Sequence, residues 1–244
     1  MDNNTKRDMN NKLEFERYAR SEHGISSLKL DYYRKQIRAS MTPYVVEERD
    51  VRMFQIDVFS MLMRERIIWV SGEIDNNIST IVQAQLMFLD SVDDRDVTMH
   101  IDTPGGCVRS GLSMIDVMEY ISADIRTINT GMAASMGSVL LGAGTKGKRS
   151  SLRFSKVMLH QSSGGFYGNI QDAKIDFDEW QELNKTLFEL LGDYCGKSPQ
   201  QVASDASRDF WLDSEGALKY GIIDEIIKKK KKSNGPNSKQ KGKV

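Results

Sequence analysis

The feature that most constrains this chain is an alternation of strand-like and helix-like segments, punctuated by glycine. Arg66–Ser71 (RIIWVS) is apolar and β-branched, which suits a buried strand. From Asn77 to Val92, Ile78, Val82, Leu86 and Leu89 recur at helical spacing. Val97–Asp102 alternates, with Val97, Met99 and Ile101 on one face and His100 on the other. Gly105 and Gly106 break the chain, and helical spacing resumes over 108–121 through Val108, Leu112, Ile115, Met118 and Ile121. A short strand at Ile125–Asn129, over by Thr130, leads into a small-residue helix at Ala133–Leu141. After a turn at 144–149, Val157–His160 predicts a strand that Gly164 and Gly165 end. The long helix that follows aligns Ala173, Phe177, Trp180, Leu183, Leu187 and Leu191 on one stripe. Ser198-Pro199-Gln200-Gln201 reads as a helix start, with Ser198 as N-cap, Pro199 at the first helical position and Gln201 closing a capping box. Ser214 is expected to cap a short helix ending at Gly221, and Ile222–Ile227 to form the last strand. Repeated strand–helix order argues for an α/β domain on a largely parallel sheet.

Charge bounds what such a domain can bind. The chain has 244 residues, with 34 basic and 34 acidic side chains. Eight of the lysines lie after Ile227, where there is no acid, so residues 1–227 hold 26 basic against 34 acidic groups. An acidic body is a poor match for a phosphate backbone, so no nucleic-acid partner is expected. The longest uncharged apolar-leaning run, Gly131–Gly144, falls short of the ~20 residues of a membrane span, and no membrane partner is expected. The first thirty residues contain no apolar signal-like stretch. Cys107 and Cys195 form neither a metal-ligand spacing nor a disulfide framework. A cytoplasmic setting and the absence of a metal site are the resulting expectations. Thr42-Pro43 marks a boundary. Residues 1–41 are read as an N-terminal extension, processed or axial, residues 42–227 as the folded domain, and residues 228–244 as a disordered Lys-rich tail.

Three local features carry chemistry. In GMAASMG, at 131–137, glycine permits a sharp turn and small residues open a helix, with Ser135 near its start. Unpaired backbone N–H groups and the positive end of the helix dipole gather there, which suits a nucleophilic hydroxyl and a developing oxyanion. The same pattern also fits a small residue that permits close helix packing. In TPGG, at 103–106, two glycines allow a backbone N–H to face a cleft unshielded, although an ordinary tight turn looks the same. Among three histidines, His160 ends a strand just before a glycine break, the placement expected of a general base. Acids that could orient it include Asp172, Asp176, Asp205, Asp209, Asp213 and Asp224, and pattern alone does not choose among them.

Taken together, IDTPGG at 101–106, GMAASMGSVLL at 131–141, GKR at 147–149, VMLHQ with GG at 157–165, and SRDFWL through YGIID at 207–224 resemble the proteolytic subunit of the ATP-dependent Clp proteases. The resemblance covers about residues 42–227 and implies a crotonase-like fold and a serine endopeptidase that degrades unfolded proteins. It implies Ser135 as nucleophile, His160 as general base and acid, Asp209 as the orienting carboxylate, and the Gly106 and Met136 N–H groups as the oxyanion hole. Gly164 and Gly165 would flank the substrate, and the long helix would be the handle between two stacked heptameric rings. An AAA+ unfoldase would feed the chamber and use the ATP, so this chain would need no cofactor of its own; it has no Walker A loop. Thr98, His100, Asp102-Thr103 and Ser207 depart from the usual pattern. These departures motivate one alternative, a specialised or weakly active subunit of mixed rings. A crotonase-type acyl-CoA enzyme, whose oxyanion hole is also built from paired backbone N–H groups, is the other.

Overall fold

The structure is a computed structural model that describes residues 44–49, 52–165 and 169–228. The expected extension at 1–41, and the tail beyond Lys228, lie outside the described residues. The chain divides into two compact units, Met1–Met61 and Leu62–Val244. In the first, β1 (Tyr44–Arg49) and β2 (Arg52–Asp57) form an antiparallel hairpin in register from Tyr44↔Asp57 to Arg49↔Arg52. Helix α1 (Val58–Arg64) follows it along the chain. Sequence pattern predicts no element here.

The second unit is built on a seven-stranded sheet. Its strands are β3 (Ile67–Ser71), β4 (Val97–Thr103), β5 (Ile125–Ala134), β6 (Arg149–Leu152), β7 (Lys156–Leu159), β8 (Phe210–Asp213) and β9 (Glu225–Ile227). The order is β3-β4-β5-β6-β9, with β7 pairing both β5 and β8. Every pairing is parallel except β7 with β8. Helices α2 (Asn76–Val92), α3 (Val108–Tyr120), α4 (Met136–Gly142), α5 (Ile170–Cys195), α6 (Pro199–Asp205) and α7 (Ser214–Tyr220) connect the strands.

The predicted faces are the buried ones. Val97, Met99 and Ile101 of β4 are fully buried, as are Val82, Leu86 and Leu89 of α2. Burial of such side chains stabilises the fold by about 1.5–3 kcal/mol each. Asp75 caps α2 by accepting from Ile78 N–H at 2.8 Å, and the buried Arg66 guanidinium donates to the Leu89 and Arg95 carbonyls at its far end. The stripe on α5 is buried only in its C-terminal half. Leu187, Phe188 and Leu191 join the core, whereas Ile175 and Phe177 are exposed.

Several boundaries differ from expectation, among them the strand expected at Val157–His160, which runs from Lys156 to Leu159 and leaves His160 just past its end. Strand β5 does not stop at Thr130 but runs on to Ala134, and α4 begins only at Met136. The extension contains an irregularity: Ile101 pairs with Asn129 but Thr103 with Ala133, so four steps on β5 answer two on β4. The Asp102 carboxylate accepts from Met132 N–H at 2.9 Å inside this bulge, and a Cβ on Gly131 would overlap that carboxylate. The N-cap of α7 is Asp213, not Ser214; the Ser214 hydroxyl instead donates to Leu152 O at 2.6 Å. Ile222 and Ile223 are core residues ahead of the last strand, which begins at Glu225. Ser198 does cap α6 through Gln201 N–H, but the Gln201 side chain turns to Asp205 instead of closing a box.

One buried ion pair ties the sheet's far edge to α5 and α7. Arg149 is almost wholly buried and meets Asp224 at 2.6 Å, while also donating to the Tyr194 and Gly221 carbonyls. Burial alone would push the Asp224 carboxyl up, but the Arg149 hydrogen bonds and charge outweigh it and hold it below its ordinary 3.8. Leaving one member of such a pair alone costs about 3–5 kcal/mol. Asp224→Ala is therefore expected to lower the unfolding free energy by about that amount in guanidinium titrations at neutral pH. Because the folded carboxyl is the stronger acid, its contribution is present above pH 3.8 and lost as pH falls through the folded value. The gap between wild type and variant should close below that pH.

Candidate active site

The C-terminal ends of four parallel strands converge on one edge of the sheet, the usual place for a ligand site in such sheets. Just beyond β3 lies Gly72-Glu73-Ile74; beyond β4, Pro104-Gly105-Gly106; beyond β5, Ser135; beyond β7, His160.

Ser135 sits at the junction of β5 and α4 with φ 52° and ψ −124°, one of two described non-glycine residues with positive φ. Such a backbone costs about 1–3 kcal/mol and persists only where its surroundings enforce it. Here Ser135 N–H donates to Met158 O at 2.9 Å, and Ser135 O accepts from Ser138 N–H at 2.9 Å, fixing both sides of the turn. The side chain is thereby turned out at the N-terminus of a wholly buried helix.

Strand pairing brings the histidine to it. Beyond the bulge, β5 leaves β6 and runs parallel to β7, with Ala134 beside Met158. Ser135 and His160 then follow directly at the two strand ends, and His160 Nε2 lies 2.8 Å from Ser135 Oγ. On its other side β7 runs antiparallel to β8, with Leu159 opposite Phe210. One step further out, the same register sets His160 opposite Asp209. His160 Nδ1 is 3.3 Å from Asp209 Oδ1, with the carboxylate side chain 65% exposed. Of the six acids left open by sequence pattern, Asp209 is the one that meets the imidazole. The other five lie elsewhere: Asp224 on Arg149, Asp205 on Tyr220, Asp213 capping α7, Asp172 beside Asn169 and Asp176 within α5.

The TPGG turn closes the edge against Ser135. Gly105 and Gly106 have φ 94° and 148°, backbone conformations that side chains rarely adopt. A Cβ on Gly105 would stand 2.7 Å from Ser135 Cβ and 3.0 Å from Met136 N, and one on Gly106 would overlap Ile74 O. Ile74 N–H donates to Gly105 O and Cys107 N–H to Ile74 O, both at 2.8 Å, so the turn is pinned on both sides of Gly106. Met136 is the first residue of α4, and its N–H has no intrahelical acceptor by position.

A cleft of about 700 Å³ opens over these groups, walled also by Glu73, Cys107, Ser162 and Trp180. Sequence pattern marks none of these four as a site residue, because they come from three separate loops and a helix whose meeting has no local signature. Behind the Ser135–His160 pair lies a smaller, enclosed apolar pocket, with about 20 Å³ free between Met136, Val139, Leu187 and Phe188. Gly164 packs near the Trp180 ring, and Gly165 is exposed next to it. Ser162 N–H donates to Asn184 Oδ1 of α5 at 3.2 Å, holding the segment after His160 to the helix. Among the described residues, no group of three or more His, Cys, Asp or Glu is arranged to hold a metal ion, and no helix is long and apolar enough to cross a membrane.

A serine hydroxyl on an imidazole, with a carboxylate at the ring's other nitrogen and the oxygen at a helix N-terminus, is the constellation of a serine hydrolase. The comparisons with known proteins narrow that class. The Clp protease family model matches residues 50–230. The chain is 45% identical over 218 residues to an ATP-dependent Clp protease proteolytic subunit of Bacteroides fragilis, covering 89% of this chain and 99% of the relative. It is 43% identical over 220 residues to the proteolytic subunit of Porphyromonas gingivalis, covering 90% and 99%. The chain belongs to the Clp protease family, with its crotonase-like fold, and is a serine endopeptidase. An acyl-CoA enzyme is not favoured.

Two outcomes are expected from this geometry. Gly106→Ala should cut peptide hydrolysis by roughly a hundredfold or more, because the turn beside Ser135 must shift to clear Ile74 O. The two cysteines should differ in reactivity. A hydrogen bond from Ser110 draws the exposed Cys107 thiol below its ordinary pKa, whereas burial pushes Cys195 up to about 11. Peptide mapping after brief iodoacetamide treatment at neutral pH should find Cys107 alkylated and Cys195 spared.

Proposed function

We propose that the enzyme cleaves peptide bonds through an acyl-enzyme formed on Ser135. The observation that carries this reading is the series at the edge of the cleft in which Ser135 Oγ is hydrogen-bonded to His160 Nε2 and the Asp209 carboxylate stands 3.3 Å from His160 Nδ1. The Asp209 carboxylate favours the imidazole tautomer with its proton on Nδ1, which leaves Nε2 to take the proton from Ser135 Oγ as it attacks the scissile carbonyl. The resulting oxyanion accepts hydrogen bonds from Gly106 N–H and Met136 N–H, and the dipole of α4 adds to their effect. Collapse of the tetrahedral intermediate breaks the C–N bond. His160 gives its proton to the departing amine, and the acyl group stays on Ser135. Water then attacks the ester, with His160 again as base, and the carboxylic acid leaves as Ser135 recovers its proton.

The rest of the cleft fits a polypeptide. An extended chain would lie beside Gly164 and Gly165, where no side chain blocks its backbone. The enclosed pocket among Met136, Val139, Leu187 and Phe188 is apolar, which suits a small apolar side chain next to the scissile bond. The protease domain in this reading is residues 42–227. Subunits assemble as two stacked heptamers around a closed chamber in the cytoplasm, and a partner AAA+ unfoldase threads unfolded proteins into it. That partner consumes the ATP, and the chemistry on this chain uses protein groups alone. The relatives' names, which join ATP dependence to a proteolytic subunit, support this division.

Ser135→Ala is the direct test. Casein and small-peptide hydrolysis should fall to background, while native mass spectrometry finds the same ring assembly as wild type. Hydrolysis at an undiminished rate by the variant would overturn the assignment of the nucleophile.

A further inference from the structure

We propose that Thr103 is a positioning residue that fixes the spacing between the two oxyanion donors. The inference rests on the reading of Gly106 and Met136 as those donors. Thr103 ends β4 and is completely buried, although it is polar. Its hydroxyl donates to Gly72 O, in the loop after β3. It also accepts from Gly105 N–H at 3.0 Å, one residue ahead of the first donor. Its methyl group lies against Gly137, one residue past the second donor, closely enough that a Cβ there would stand 2.5 Å from Thr103 Cγ2. One side chain thus touches the loop that carries Gly106 and the helix turn that carries Met136.

The division of labour within the side chain is what makes the role specific. A hydroxyl without the methyl would still hold the TPGG turn by its two hydrogen bonds. A methyl without the hydroxyl would still pack on Gly137, but Gly105 N–H, in a buried residue, would lose its acceptor. The turn would then relax, and Gly106 N–H would drift relative to Met136 N–H. Substrate binding along the cleft does not require that spacing. Transition-state stabilisation does, because both donors must reach one oxygen atom.

The experiment compares wild type with Thr103→Ser and Thr103→Val, measuring peptide hydrolysis per assembled subunit and inhibition by a dipeptide boronic acid, whose tetrahedral adduct carries the oxyanion. Thr103→Val should lower kcat roughly tenfold to a hundredfold, less than the ~10²–10³ lost with a whole donor, with KM within about twofold. Boronate affinity should fall by a similar factor, and Thr103→Ser should restore both to within about threefold of wild type. If Thr103→Val does not assemble, Thr103→Ala removes the same hydroxyl without added bulk and is held to the same outcome. An assembled hydroxyl-less variant with unchanged kcat overturns the proposal, as does a loss in KM alone. So does a Thr103→Ser variant as impaired as Thr103→Val. Failure of the boronate to inhibit wild type, or its full potency against Ser135→Ala, would instead overturn the reading of the site itself.

Discussion

The arrangement depends on one four-residue strand having two different neighbours. β7 pairs in parallel with β5 on one side and antiparallel with β8 on the other. Parallel pairing makes two strands end at the same edge, which brings Ser135 and His160 together. Antiparallel pairing makes one strand begin where the other ends, which sets Asp209 opposite His160. No side-chain search is needed to gather three residues separated by 74 positions along the chain. The ladder hydrogen bonds do it, and a one-residue slip of β7 against either neighbour would turn the side chains to the wrong face.

That dual pairing requires β5 to change partners part-way along. It runs with β6 through Asn129 and with β7 from Met132 onward. The bulge between these stretches is where Gly131 and Asp102 meet, the carboxylate taking up an N–H that the ladder leaves over. The same edge concentrates backbone conformations that would be unfavourable elsewhere. Ser135, Gly105 and Gly106 all have positive φ, and a Cβ on Gly105 would stand 2.7 Å from Ser135 Cβ. The strain is held by buried elements on all sides, chiefly the wholly buried α4. Rigidity of this sort suits a site whose donors must already be aimed at a charge that exists only in the transition state.

Much of this was legible in the sequence. The α/β alternation, the buried faces of β4 and α2, and the glycine breaks after β4 and β7 follow from periodicity and turn chemistry. Ser135 stands out near the expected start of a small-residue helix, and His160 at the expected end of a strand before a glycine break. What periodicity hides is pairing. Arg149–Leu152 and Phe210–Asp213 are four-residue strands rich in polar or mixed residues, and neither was expected as a strand. Without β8 there was no register to choose Asp209 from six acids, and only the family resemblance named it. The continuation of β5 past Thr130 was missed for a related reason: small residues in a sheet that bends around a bulge look like the start of a helix. Thr103 was visible only as a letter of the TPGG motif, since its contacts to Gly72 and Gly137 come from distant segments.

In the proposed mechanism, strand pairing makes Ser135 the activated serine of this chain. Intact-mass and peptide mass spectrometry after treatment with a fluorophosphonate tests it most directly. A single phosphonyl adduct is expected, on Ser135, formed at a rate that collapses in His160→Ala. An adduct on a different serine, or labelling of Ser135 that proceeds unchanged without His160, would contradict it.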